Sequence, residues 1–147
     1  MRSREFITET FNSPYPVKVV QSPESDNYEA GVKLPDGDFM EILFTEDPID
    51  SRWEVEFYRG ASLGITGRGD AFRVFATMIE AIRQFIKLEK PSSIIFSATK
   101  ELEDDDVGNK ESRANLYRRM VTRFANSMGY YAVIDDYADR EQYQLIR

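Results

Sequence analysis

The chain has 147 residues, 26 of them Asp or Glu and 19 Lys or Arg, with no cysteine and no histidine. That length fits one domain, and an apolar share of 41% is enough for a real core. Disulfides, zinc fingers, His-based metal sites and Ser-His-Asp or Cys-His catalysis are therefore excluded, and any acid–base step falls to Asp, Glu, Lys, Tyr, the backbone or water.

The net charge of −7 is unevenly placed: residues 1–60 sum to −7, residues 61–100 to +3 and residues 101–147 to −3. An acidic whole repels polyphosphate, which argues against nucleic acid as a general partner. The opening MRSREFITETFN has no apolar run of signal-peptide type, and no stretch approaches the length of a membrane span. The expectation is a soluble, cytoplasmic protein with no membrane partner.

In chain order, Val17–Val20 is a candidate first strand. Tyr28–Leu34 and Phe39–Thr45 flank Pro35-Asp36-Gly37-Asp38, which is hairpin punctuation. Trp53, Val55 and Phe57 alternate with Glu54 and Glu56, the pattern of a half-buried strand with one acidic face. Leu63–Thr66 is a short partner strand. Residues 15–66 thus read as an antiparallel meander.

The period turns helical after Gly67. From Asp70 to Leu88 the polar residues Arg73, Thr77, Glu80, Gln84 and Lys87 form a narrow stripe on an otherwise apolar helix, which predicts a helix laid across a sheet. Asp70 suits its N-terminus, and Pro91 forbids its continuation. Ser93–Ser97 is a candidate central strand. Glu101–Asp106 carries five carboxylates in six residues and reads as an exposed loop. Ser112–Met128 is a second helix stopped by Gly129. Tyr131–Ile134 and Tyr143–Ile146 close the sheet. The fold class is α+β, or mixed α/β, with a central, mostly antiparallel sheet and two main helices in one domain spanning 1–147.

Four features carry candidate chemistry. Between the meander and the first helix lies Gly64-Ile65-Thr66-Gly67-Arg68-Gly69-Asp70-Ala71. It reads either as a strand-to-helix turn capped by Asp70, or as an anion cradle in which helix N–H groups and Arg68 face a phosphate. Tyr117 lies on the apolar stripe of the second helix, as a core tyrosine or a proton donor. Glu54 and Glu56 form a solvated face or supply a general base; as a cation site they lack further ligands. Lys110, Arg113, Arg118, Arg119 and Arg123 make a basic surface that either solvates the second helix or meets an anion or a protein partner.

The meander, Gly-rich turn, helix, strand and second helix, with Leu116-Tyr117 ahead of Gly129-Tyr130, resemble the GNAT superfamily of acetyl-CoA-dependent N-acetyltransferases over roughly residues 38–147. Gly69-x-Ala71 matches the end of that family's [QR]-x-x-G-x-[GA] loop, and Leu116-Tyr117 the end of its N-x-x-A-x-x-[LF]-Y helix motif. The resemblance implies acetyl-CoA as cofactor, with its pyrophosphate on Gly67, Arg68, Gly69, Asp70 and Ala71. It implies Tyr117 as general acid and Glu54 or Glu56 as base toward an amine substrate. It also implies a V-shaped splay between the strands at 61–66 and 93–97. Thr66, Lys110 and Arg113 stand where the family has Gln or Arg, Asn and Ala, and these positions lean toward a non-enzymatic interaction module. The run ITGRGDAFRVFAT at residues 65–77 is similar to one in small phage-encoded proteins, so that such a module would serve in a phage particle or at a host protein.

Overall fold

Alternation of buried and exposed side chains builds the first half of the chain. The computed structural model describes residues 13–35, 37–59, 62–63, 71–99 and 110–147. Strands β1 (Val20–Gln21), β2 (Tyr28–Lys33), β3 (Phe39–Glu46) and β4 (Trp53–Arg59) form an antiparallel meander. Along β2, Tyr28, Ala30 and Val32 point inward, opposite Phe44, Ile42 and Met40 of β3. The β3–β4 turn is held by Asp47, whose carboxylate accepts the N–H of Ile49 at 2.9 Å and whose own N–H reaches Arg52 O at 2.8 Å.

β5 (Ser62–Leu63) turns back onto the end of β4. Helix α1 (Ala71–Glu89) follows, then β6 (Ser93–Thr99), helix α2 (Lys110–Ser127), β7 (Tyr131–Asp136) and β8 (Arg140–Ile146). The sheet order is β1-β2-β3-β4-β6-β8-β7, with β5 paired to β4. Every pair is antiparallel except β4 with β6. β4, β6 and β7 therefore run in one direction. The two crossovers through α1 and α2 step across the sheet the same way, and a common hand places both helices on one face. The helices lie parallel to each other, and Phe72 and Phe75 of α1 meet Tyr117 of α2.

The core sits between these helices and the sheet. Phe85 of α1 is its aromatic hub, stacked on Phe44 at 4.6 Å and edge-on to Trp53 at 4.8 Å and Tyr28 at 5.2 Å. The opposite sheet face carries Glu29, Glu41, Leu43, Glu54, Glu56 and Tyr58, exposed or half-buried.

The helix ends follow backbone rules. Gly129 has φ of +83°, Tyr130 N–H returns to Ala125 O at 2.8 Å and Gly129 N–H to Asn126 O at 3.3 Å, a Schellman stop. Lys90 closes α1 with φ of +53° and a 2.8 Å bond to Ile86 O.

One expectation from the sequence is revised. Val17–Val19 is not strand: residues 13–19 form a strap along α1. Tyr15 N–H donates to Thr77 Oγ1 at 2.8 Å, Val19 N–H to Gln84 Oε1 at 2.9 Å, and Gln84 Nε2 to Val17 O at 3.0 Å. The polar stripe of α1 is thus partly a seam that satisfies this strap, and Thr77 is wholly buried. The described strand beside β6 is β4, whose inward face of Trp53, Val55 and Phe57 matches Ile94, Phe96 and Ala98. Of the strand expected at 61–66, Ser62–Leu63 is described and pairs with β4. Residues 64–66 lie outside the described residues.

Candidate functional site

β4 and β6 are each seven residues long, yet they pair only at Trp53↔Ile94 and Glu54↔Ile95. Farther along, β5 takes the same edge of β4 through Tyr58↔Leu63 and Arg59↔Ser62. Between these two pairings no described strand pairs with the edge for about 10 Å, taking three residues at strand rise. Strand alternation decides which backbone groups face this opening. Asp47 N–H to Arg52 O fixes the β3 side of β4 on Arg52, Glu54, Glu56 and Tyr58, so Phe57 presents its N–H and C=O to the other side. Arg147 N–H to Ser92 O likewise assigns Ile94, Phe96 and Ala98 to β8, leaving Ser97 toward β4. Among the described residues, neither Phe57 nor Ser97 has a strand partner across the opening.

On the helix side of the sheet, beside the far end of β6, lies a buried polar cluster. Tyr117 is 4% exposed, stacked on Phe75 at 4.0 Å and edge-on to Phe72 at 5.7 Å. Tyr143 is fully buried and donates to Glu141 Oε1 at 2.9 Å. Glu141 is 2% exposed, and its other oxygen accepts from Arg118 Nε. Arg118 also meets Asp136 at 3.5 Å and Asn115 Oδ1 at 3.3 Å. Burial, followed by the Glu141 charge, pushes the Tyr143 phenol far above its ordinary range, so it stays a neutral donor. The hydrogen bond to Glu141 holds the Arg118 guanidinium more firmly protonated, against the opposing effect of desolvation.

The residues expected from the sequence are distributed as follows. Glu54 and Glu56 lie exposed on the sheet face opposite α1 and α2, with Glu56 accepting from Tyr58 Oη at 2.8 Å. They are on the side of the sheet opposite Tyr117 and are not brought together with it. Ala71 opens α1. Gly67, Arg68, Gly69 and Asp70 lie outside the described residues, as does the acidic run 101–106. Lys110 and Arg113 belong to α2, and their side chains are outside the description. Arg118 leaves the expected basic surface for Glu141, whereas Arg119 and Arg123 remain exposed. Glu141 was not among the expected site residues. Its signal was the two-residue spacing with Tyr143 and Leu145, which puts it on the buried face.

A second concavity of about 690 Å³ runs between α1 and α2 on the side away from the sheet. Its floor is Ala76, Ile79, Leu116, Met120 and Phe124. Arg119 and Arg123 form one rim; Arg83 and Glu80 form the other, joined by bonds of 2.8 and 2.6 Å. Among the described residues no group of three or more acidic side chains is placed to hold a metal ion, and no helix is long and apolar enough to cross a membrane. In comparisons with protein-family models, curated proteins and solved structures, nothing matches this chain.

Proposed function

We propose that this chain is a GNAT-like domain that takes acetyl-CoA into the opening between β4 and β6 and passes the acetyl group to an amine. The observation that supports this reading is the parallel pair of β4 and β6, closed at Glu54↔Ile95 and, among the described residues, unpaired beyond it. Pantetheine is an extended chain with two amides, and the free backbone groups of Phe57 and Ser97 match such a chain as a strand edge would. In the transfer, the bond from the acetyl carbon to the CoA sulfur breaks and a bond to the amine nitrogen forms. The nitrogen gives up a proton, and the thiolate takes one. Tyr117 and the Glu54/Glu56 pair lie on opposite faces of the sheet, with the opening between those faces. In this reading Tyr117 serves the sulfur, and Glu54, Glu56 or a water serves the amine. Gly67, Arg68, Gly69, Asp70 and Ala71 would hold the pyrophosphate.

One observation favours a second reading, a non-enzymatic interaction module of the same architecture, such as a phage structural or host-contact protein. Tyr117 is sealed between Phe72 and Phe75, as a core residue is. Calorimetric titration with acetyl-CoA separates the two. Saturable binding that is abolished by Gly69→Glu supports the first, and absence of heat at high micromolar ligand leaves only the second.

A further inference from the structure

We propose that the groove between α1 and α2 is a docking site for an acidic amphipathic helix of a partner protein. The two helices run parallel, and their groove-lining positions recur at helical spacing: Ala76, Ile79 and Arg83 on α1, and Leu116, Met120 and Arg123 on α2. The lining of α2 extends from Leu116 to Ser127, about 16 Å or three turns at helical rise. A third helix is the element whose length and width fit such a trough, and an apolar stripe at i, i+4 and i+7 would cover Ile79, Leu116, Met120 and Phe124.

Charge selects the partner. Arg83 is neutralised by Glu80 in a two-bond pair. Arg119 and Arg123 have no carboxylate partner among the described residues, although the chain as a whole is at −7. They stand one turn apart on the same rim, about 6 Å along the axis. Two carboxylates at i and i+4 on an incoming helix match that spacing and relieve the like-charge pair. An apolar floor with two cations unpaired among the described residues suits a carboxylate-bearing helix better than a polyanion, whose phosphates would gain nothing from Met120 or Phe124. The groove lies on the outer side of the helices and the β4–β6 opening lies in the sheet, so this inference does not depend on CoA.

The test uses a fluorescein-labelled Leu/Glu helical peptide of about five turns, with its leucines on one face. Two isomers serve as comparison: one with the same leucines dispersed around the helix, one with Lys in place of Glu. Anisotropy should show saturable binding of the one-faced acidic peptide alone, weakening as salt rises. R119E/R123E changes two exposed side chains, and its circular dichroism should match the parent. It should weaken acidic-peptide binding about tenfold or more and confer binding of the Lys isomer. The proposal is overturned if the dispersed peptide binds equally, if R119E/R123E has no effect, or if binding is weaker than about 1 mM. Self-association of the chain that disappears in R119E/R123E would assign the face to a second copy and overturn it as well.

Discussion

Arg118 on α2 and Glu141 on β8 form an ion pair with unequal shielding: the carboxylate side chain is 2% exposed and the guanidinium side chain 37%. Removing the arginine leaves the buried charge with Tyr143 Oη as its remaining hydrogen-bond partner among the described residues. Arg118→Leu should cost about 2–4 kcal/mol, somewhat below a fully buried pair because Arg118 keeps part of its hydration. Adding Glu141→Leu should recover much of that loss, and a double-mutant cycle by urea denaturation reads the coupling. Strict additivity would mean that the pair contributes nothing as a pair.

Phe85 touches Tyr28, Phe44 and Trp53 together. Phe85→Ala opens a cavity at the centre of the core and should cost about 3–5 kcal/mol, a large share of a domain's typical 5–15 kcal/mol. Trp53 is the only tryptophan, so its emission reports this site directly. An unchanged midpoint and an unchanged spectrum would contradict the hub.

The strap at residues 13–19 hangs on two side chains of α1. Thr77→Val keeps the shape but removes the acceptor of the Tyr15 N–H, and should cost about 1–3 kcal/mol. Gln84→Leu removes the acceptor of the Val19 N–H and the donor to Val17 O. Amide exchange at Tyr15 and Val19 should accelerate in the respective variants while β6 amides keep their protection. Equal acceleration throughout would show global loosening instead.

Glu80 links stability to pH. The hydrogen bond from Arg83 holds its carboxyl below the usual range, aided by Gln84 and opposed by burial. A carboxyl with a lowered folded pKa stabilises fully above its unfolded value, near about 4.3, and loses that contribution as pH falls through the folded value. Glu80→Gln should therefore cost stability at neutral pH and little at strongly acidic pH. Denaturation curves at both ends of that window check the sign.

The legible part of this chain is what periodicity encodes. The two-residue alternation of Trp53, Val55 and Phe57 and the helical stripe from Phe72 to Leu88 placed β4 and α1 within a residue or two, and Gly129 stopped α2 as a glycine with positive φ does. Partner choice was less visible. That Leu63 belongs to a short partner strand after β4 was legible, but that β4 also offers the same edge to β6 was not, because pairing depends on which edge the rest of the sheet leaves free. The strap was missed for a similar reason: Val17 and Val19 satisfy their backbone through the Gln84 amide, which imitates a strand only in three dimensions. Arg118 looked like part of a solvated surface because its partner lies 23 residues away in sequence. Of the candidate site, the face carrying Glu54 and Glu56 and the stripe carrying Tyr117 were readable. The opening between β4 and β6 arises from registers that no single segment contains.

β8 lies between β6 and β7, although it follows both in the chain. During synthesis on the ribosome, β6 emerges with one edge unfilled, and β7 has no place in the sheet until residues 140–146 are out of the exit tunnel. The seven-residue register from Ser93↔Ile146 to Thr99↔Arg140 can then form only late. For that interval an apolar strand edge is open to foreign strands, and nascent chains stalled before Arg140 should be far more dependent on chaperones than those stalled beyond Ile146.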